Sequence, residues 1–269
     1  EGPRFDKACM KYLEEGDFLK LLRMDRTLYE PAAECGLRTF WMMAGALDGQ
    51  ALKIKKLSYQ GPFGVGYGVV SLRVTRADVR RSFAERYEML ERRAQEERRA
   101  AEDEYVRLAR HAIETIVTTG KLPERPADLP SEMAERAGVF VSLKKDGELR
   151  GCIGTFAPTA KNIAEEILQN AVSAALRDPR FPPVKKEELD ALVYSVDVLT
   201  EPELVVGADA LDVKKYGVIV EYRARKGLLL PDLAGVDTVD EQLRIARQKG
   251  GIPEDAPIRI WRFTVERHH

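Results

Sequence analysis

Histidine is scarce in this sequence, and long apolar runs are missing. Of the three histidines in 269 residues, His268 and His269 end the chain and only His111 lies inside it. An iron site with two histidines and one carboxylate, or a zinc site with three histidines, therefore cannot be assembled from one copy of the chain. No apolar stretch approaches the roughly 20 residues that span a bilayer, and no signal-peptide pattern is visible. We expect a cytoplasmic protein with no membrane contact, no metal and no other cofactor.

The sequence also lacks an excess of positive or negative charge, and it has no closely spaced cysteines. The 43 basic side chains nearly balance the 44 acidic ones, and the formal net charge is -1. This balance argues against nucleic acid as a partner, because phosphate neutralisation needs clustered Lys and Arg. Cys9, Cys35 and Cys152 are widely spaced without a CxxC pair, which is typical of reduced thiols.

The composition predicts three consecutive parts: an α/β piece over residues 1–75, a charged connecting helix over residues 76–102 and an α+β domain over residues 103–267. Residues 76–110 carry 10 basic and 9 acidic side chains, and apolar residues recur among them at a spacing of three and four. This pattern predicts one long helix with a narrow apolar face, running on into the third part. The helix either connects the flanking parts in solvent or pairs with a second copy in a homodimer.

Turn signals in the third part predict hairpins. Asp146-Gly147 lies between two apolar runs, and Asp-Gly supplies the positive φ of a tight turn. Pro158 and Thr159 open a helix that Asp178-Pro179 stops. We therefore predict an α+β fold with a largely antiparallel sheet and flanking helices.

The densest group of chemically interesting residues surrounds the run Leu149-Arg150-Gly151-Cys152-Ile153-Gly154. Glycines within a strand leave the backbone bare, so that a ligand or another chain segment can approach closely. Guanidinium groups suit carboxylates and phosphates, and three arginines could converge with Asn170 to grip such an anion. The candidate ligand-binding residues are Arg150, Gly151, Gly154, Asn170, Arg177, Asp178 and Arg180, and the candidate catalytic residue is Cys152.

These residues also have plainer interpretations. A nucleophilic Cys152 needs a lowered pKa and a base, and the sequence offers only Arg150 nearby and His111 as an imidazole. A structural or ligand-lining cysteine is therefore the favoured interpretation. The arginines could instead form ordinary ion pairs with Asp178, Glu187 or Glu188.

Several runs in the third part resemble the AMMECR family. They are GVFVSLKK, LRGCIG, NAVSAALRDPRFPPV, ELDALVYSVDVLTEPE and KGLLLP. The resemblance implies a two-lobed α+β domain with LRGCIG in a cleft, and no settled activity. By position, it marks the candidate residues named above together with the loop Leu228–Pro231. Lys249-Gly250-Gly251 stands where the family more often shows Lys-Ala-Gly.

The first 75 residues resemble the C-terminal end of the Memo/LigB family, whose members include class III extradiol ring-cleavage dioxygenases. The runs are DKACMKYLEEGDFLKLL, PAAECGLRTFWMMAGALDG and LSYQGPFGVGYGVV. In that family the metal-binding histidines lie upstream. Cys35, with Glu34 beside it, falls roughly where Memo-like proteins place a metal-site cysteine, but one ligand cannot hold a catalytic iron.

Together the two resemblances imply a protein similar to the A protein of the AmmeMemoRadiSam system, with a radical-SAM protein as a partner. Our leading hypothesis is an AMMECR domain that binds an anionic small molecule or modification substrate beside LRGCIG, in a radical-SAM-associated modification pathway. In its enzymatic version, Cys152 attacks an electrophilic carbon or sulfur. The alternatives are a dioxygenase-related protein that lacks its metal ligands in this chain, and a non-catalytic protein-interaction module.

Overall fold

The computed structural model of the protein describes residues 1–233 and 235–269. The chain divides into two compact units, Glu1–Glu97 and Arg98–His269. No helix within the described residues combines the length and the apolar character needed to cross a membrane.

The first unit consists of short helices followed by a long hairpin. Its helices are α1 (Gly2–Glu15), α2 (Phe18–Leu22), α3 (Arg26–Tyr29) and α4 (Leu37–Ala46), and its strands are β1 (Gln50–Gln60) and β2 (Tyr67–Ala77). β1 and β2 pair antiparallel around the Pro-Gly-rich bend. Phe18, Leu21 and Leu37 are fully buried in the core that the helices share.

The charged segment forms two helices, so the prediction of a single long helix from residue 76 onward is wrong. β2 extends to Ala77, α5 runs over Phe83–Ala101 and α6 over Glu104–Thr119. Asp103 separates the helices because its backbone is extended, and its Oδ1 accepts hydrogen bonds from two backbone N–H groups in the first turn of α6. An N-cap of this kind starts a new helix.

The second unit contains two antiparallel four-stranded sheets, which confirms the predicted α+β fold. The first sheet has the order β10-β5-β3-β4 and the second the order β6-β9-β7-β8. The strands are β3 (Val139–Lys145), β4 (Glu148–Gly154), β5 (Leu192–Leu199), β6 (Glu203–Val205), β7 (Gly217–Tyr222), β8 (Arg225–Leu229), β9 (Arg259–Phe263) and β10 (Val265–His268). The remaining helices are α7 (Ile163–Leu176) and α8 (Val239–Lys249). Helices α6 and α7 pack on the first sheet, and α8 packs on the second.

The hairpin of β3 and β4 forms around the predicted turn. Asp146 and Gly147 have φ values of 52° and 80°, and two successive positive φ values match the right-handed twist of the strands. Along β3, Val139, Val141 and Leu143 are fully buried in the core that includes α6 and α7. Successive side chains of a strand point to opposite faces, so Ser142 lies on the other face of the sheet.

Helix α7 approaches β4 closely at Gly151. A Cβ at this position would lie 2.4 Å from the carbonyl oxygen of Ala174 on α7. Because backbone cannot yield as a flexible side chain can, any larger residue here forces the helix away from the sheet.

We predict that Gly151→Ala lowers the free energy of unfolding by about 2 kcal/mol, as overpacking of a core does. Gly207→Ala is the matched control, since a Cβ there would meet nothing within 4 Å. Differential scanning calorimetry of the whole chain measures both variants. Equal stability of the two variants would contradict the close approach of α7.

Candidate functional site

Cys152 lies on β4, the edge strand of the first sheet, and presents its backbone away from β3. Its N–H donates to Oδ2 of Asp178 at 2.9 Å, and its carbonyl oxygen accepts from Nη2 of Arg180 at 2.9 Å. The segment after α7 therefore satisfies the polar groups that a further strand would otherwise pair.

Asp178 and Arg180 form a compact ion pair beside this edge. The Asp178 side chain is only 2% exposed, and its Oδ2 lies 2.7 Å from Nη2 of Arg180. Oδ1 accepts from the backbone N–H and from Nε of Arg180 at 3.1 and 2.9 Å. The hydrogen bonds from Arg180 hold the pKa of Asp178 well below its usual range. The carboxylate therefore stays ionised and fixes both the turn and the edge of β4.

The thiol of Cys152 is half-buried on the face of the sheet opposite α7. The hydroxyl of Ser142 donates to its Sγ at 3.2 Å. Lys249, at the end of α8, and Arg180 both interact electrostatically with Cys152. Burial lowers the pKa of Lys249 and Arg180 lowers it further, whereas negative charge on Cys152 acts in the opposite direction. Two cationic side chains thus lie within electrostatic reach of one thiol.

Arg150 is held by Glu188 rather than left open to solvent. Its Nε and Nη2 donate to the two carboxylate oxygens of Glu188, each at 3.0 Å. The hydrogen bonds from Arg150 lower the pKa of Glu188 to about 2. Lys145 adds a contact at 3.3 Å. This is the plainer interpretation of Arg150, although its buried Nη1 has no hydrogen-bond partner among the described residues.

The two glycines and Asn170 make contacts within the chain. Gly151 makes room for α7, and a Cβ at Gly154 would lie 2.2 Å from the ring of Phe140. The side chain of Asn170 is buried, and its Nδ2 donates to the carbonyl oxygen of Val139 at 2.9 Å. The bare backbone of the glycines therefore accommodates other chain segments, and Asn170 lies on the helix side of the sheet.

The structure thus brings together only part of the predicted group. Cys152, Asp178 and Arg180 are in direct contact, and Arg150 lies on the same strand as Cys152. Asn170 is separated from Cys152 by the sheet, so the expected convergence of Asn170 with the arginines does not form. Arg177 is exposed at the end of α7, and its side chain has no ion-pair or hydrogen-bond partner in the described part of the chain.

Sequence reasoning missed Lys249 and Ser142. The hydroxyl of Ser142 is simply the cross-strand neighbour of Cys152, and an assumed register of the hairpin could have found it. Lys249 lies far along the chain, and only its place in a Lys-Gly-Gly run drew attention to it.

Residues 106–268, more than half of the chain, match the model of the AMMECR1 family. The chain belongs to the AMMECR1 family. The match extends from α6 to β10 and includes Cys152, Asp178, Arg180 and Lys249, so the whole arrangement around the thiol lies within the AMMECR1 domain.

Relatives of the AMMECR1 domain occur in bacteria and archaea. A Thermotoga maritima protein is 56% identical over 170 residues, which cover 62% of this chain and 98% of that protein. A Clostridium acetobutylicum protein is 45% identical over 99% of this chain, but the chain spans only 57% of that relative's length. The crystal structure of an uncharacterized protein from Pyrococcus horikoshii matches with a TM-score of 0.57 and 41% identity, covering 61% of this chain and 88% of that one.

Residues 1–70 match the model described as the catalytic LigB subunit of aromatic ring-opening dioxygenase, which confirms the predicted resemblance. The donors in this unit do not fit a catalytic iron. Cys35 is exposed, and the carboxylate of Glu34 already accepts the N–H groups of Gly36 and Leu37 at 2.7 and 2.6 Å. Burial raises the pKa of Cys9 to about 12. Within residues 1–233 and 235–269, no three His, Cys, Asp or Glu side chains are grouped to hold a metal ion.

We predict that Asp178→Asn lowers the free energy of unfolding at neutral pH by about 2 kcal/mol, because a buried carboxylate loses its charge-assisted hydrogen bonds to the half-exposed Arg180. Folding lowers the pKa of Asp178 from its ordinary value of 3.8. Its stabilising contribution is therefore complete above that pH and is lost as the pH falls through the folded-state pKa. The difference between wild type and variant should stay constant down to about pH 5 and shrink below about pH 4.

The matched control is Asp209→Asn, because Asp209 is exposed. Urea unfolding across the pH range measures all three proteins. A difference between wild type and Asp178→Asn that does not decrease in acid would contradict the ionised pair.

Proposed function

We propose that the AMMECR1 domain binds an anionic group of a small molecule or modification substrate beside Cys152. The observation that carries this proposal is the contact of Arg180 with the backbone of Cys152, where Nη2 donates to the carbonyl oxygen at 2.9 Å, and the charge of Lys249, which interacts with the same half-buried cysteine, supports it. Cations near a partly desolvated site attract an anion more strongly than they do in water.

The cationic side chains near Cys152 differ in how free they are to pair with an incoming anion. Asp178 already balances Arg180, whose side chain is nevertheless 53% exposed. Lys249 has no ion-pair partner among the described residues, and Arg177 lies exposed at the end of α7. An incoming carboxylate or phosphate can therefore pair with Lys249 and with the free edge of the Arg180 guanidinium, because neither contact requires an existing ion pair to break.

The enzymatic version of this proposal is a covalent reaction at Cys152. The Ser142 hydroxyl donates to Sγ and would stabilise a thiolate. The thiol proton passes to solvent, and the ammonium of Lys249, which interacts electrostatically with Cys152, would pair with the thiolate. The thiolate then forms a bond to an electrophilic carbon or sulfur of the bound substrate as the bond from that atom to its leaving group breaks. The leaving group departs with the bonding electron pair and takes a proton from solvent. In the non-catalytic version, the same cations hold the ligand and no bond changes.

An alkylation experiment tests both the anion preference and the reactivity of the thiol. The quantity measured is the alkylation rate with the anion iodoacetate divided by the rate with neutral iodoacetamide. In a Cys35→Ser protein, we predict that this ratio is about tenfold higher for Cys152 than for glutathione, which corresponds to about 1.4 kcal/mol. Lys249→Gln should remove most of this preference. Rates at neutral pH are measured by mass spectrometry of the peptide that contains Cys152.

The matched control is Lys121→Gln, since Lys121 is exposed at the end of α6. It should leave the preference unchanged. A preference no greater than that of glutathione would contradict the anion site, and an unreactive Cys152 that still binds the anion would eliminate the covalent version.

Two partners stay predictions. A radical-SAM protein is implied by the resemblance, and the associated modification pathway depends on it. A homodimer follows from the narrow apolar face in the segment of residues 76–110, which forms α5 and the first part of α6.

A further inference from the structure

A cavity lies in the unit Arg98–His269, beyond the end of β4, the strand that carries Cys152. Its volume is about 550 Å³, which is in the range of small-molecule sites. One wall is the loop Phe156–Pro158, and the opposite wall includes Trp261 on β9 and Lys226 on β8. Cys152, Arg180 and Lys249 do not line this cavity.

The loop wall is held rigidly by a buried carboxylate. Glu166 on α7 is 1% exposed and accepts from the hydroxyl of Thr155 at 2.6 Å. It also accepts from the hydroxyl of Thr159 at 2.7 Å and from the N–H of Ala160 at 2.7 Å. The loop is therefore fixed at both ends, and Phe156 remains 44% exposed at the cavity. A large apolar ring held exposed at a preformed cavity is typical of a ligand contact.

Positive charge accompanies the aromatic walls. The ammonium of Lys226 lies 5.8 Å from the ring centre of Phe156 and 5.9 Å from that of Trp261. Its carboxylate neighbour, Glu221, is 3.8 Å away and is contacted more closely by Arg259 at 3.2 Å. Lys226 is therefore held by one long ion pair, to a carboxylate that it shares with Arg259, and its side chain is 45% exposed.

Arg136 adds a second cation to the lining. It is exposed, and it makes no ion pair within residues 1–233 and 235–269. Glu201 is the one acidic residue of the described lining. The cavity thus combines two aromatic rings with an excess of positive charge.

We propose that this cavity binds a small aromatic carboxylate. The ring of the ligand lies against Phe156 and Trp261, because aromatic rings attract one another beyond their buried area. The carboxylate pairs with Lys226, whose ion pair with Glu221 is long, and with Arg136, which makes no ion pair within the described residues. This site is separate from the thiol, and the proposal does not depend on the reactivity of Cys152.

The test compares 2-naphthoate with its neutral isostere 2-naphthamide on the whole chain. We expect 2-naphthoate to bind about tenfold more tightly, because only the acid neutralises the cations. Lys226→Ala should weaken binding of the acid at least about fivefold and change binding of the amide less than about twofold. Saturation-transfer NMR and quenching of tryptophan fluorescence give the dissociation constants.

The matched control is Lys215→Ala, since the Lys215 ammonium also lies over an aromatic ring, at 5.0 Å from that of Tyr216, but outside the cavity. It should leave both constants unchanged. Equal affinities for acid and amide, or an unchanged affinity of Lys226→Ala for the acid, would overturn the proposal.

Discussion

The ion pair of Asp178 and Arg180 takes the place of a neighbouring strand at the edge of β4. An edge strand exposes N–H and C=O groups that otherwise invite pairing with another chain. Here a carboxylate accepts from the N–H of Cys152 and a guanidinium donates to its carbonyl oxygen. Because both side chains come from the turn after α7, the helix, the turn and the strand are fixed together. The thiol of Cys152 is thereby held at one position relative to Arg180.

The close approach of α7 to β4 has a second consequence, on the opposite face of the sheet. Since Gly151 lets the helix backbone come near, polar side chains on α7 reach the strand ends. Asn170 donates to the carbonyl oxygen of Val139, and Glu166 binds the loop that follows β4. Asn170 is therefore a structural residue, and Glu166 shapes the cavity at Phe156 without lining it. The thiol of Cys152 and the polar side chains of α7 thus lie on opposite faces of one strand.

Local signals in the sequence are sufficient to predict the tight turns and the antiparallel pairing of the strands. Asp146-Gly147 adopts two positive φ values because a tight hairpin requires them, and this requirement acts over only a few residues. The face that Asn170 occupies could not be predicted in the same way. Its spacing from Arg177 relates the two residues along one helix, whereas the rotation of that helix against β4 depends on contacts between segments far apart in sequence. The helix break at Asp103 was missed because charge and periodicity continue across it, and the cap acts at a single residue.

The electrostatic environment of the thiol depends on Lys249, which no local pattern connects with Cys152. The charge of Arg180 is already balanced by Asp178, so this pair contributes a fixed geometry and little net charge. Lys249 contributes the unbalanced charge, and it comes from the end of α8, a helix that packs on the other sheet. The arrangement separates the group that positions the strand from the group that sets the charge at the thiol. Under the proposed function, Lys249 on α8 supplies the charge that attracts the anion, while Asp178 and Arg180 hold the edge of β4 independently of it.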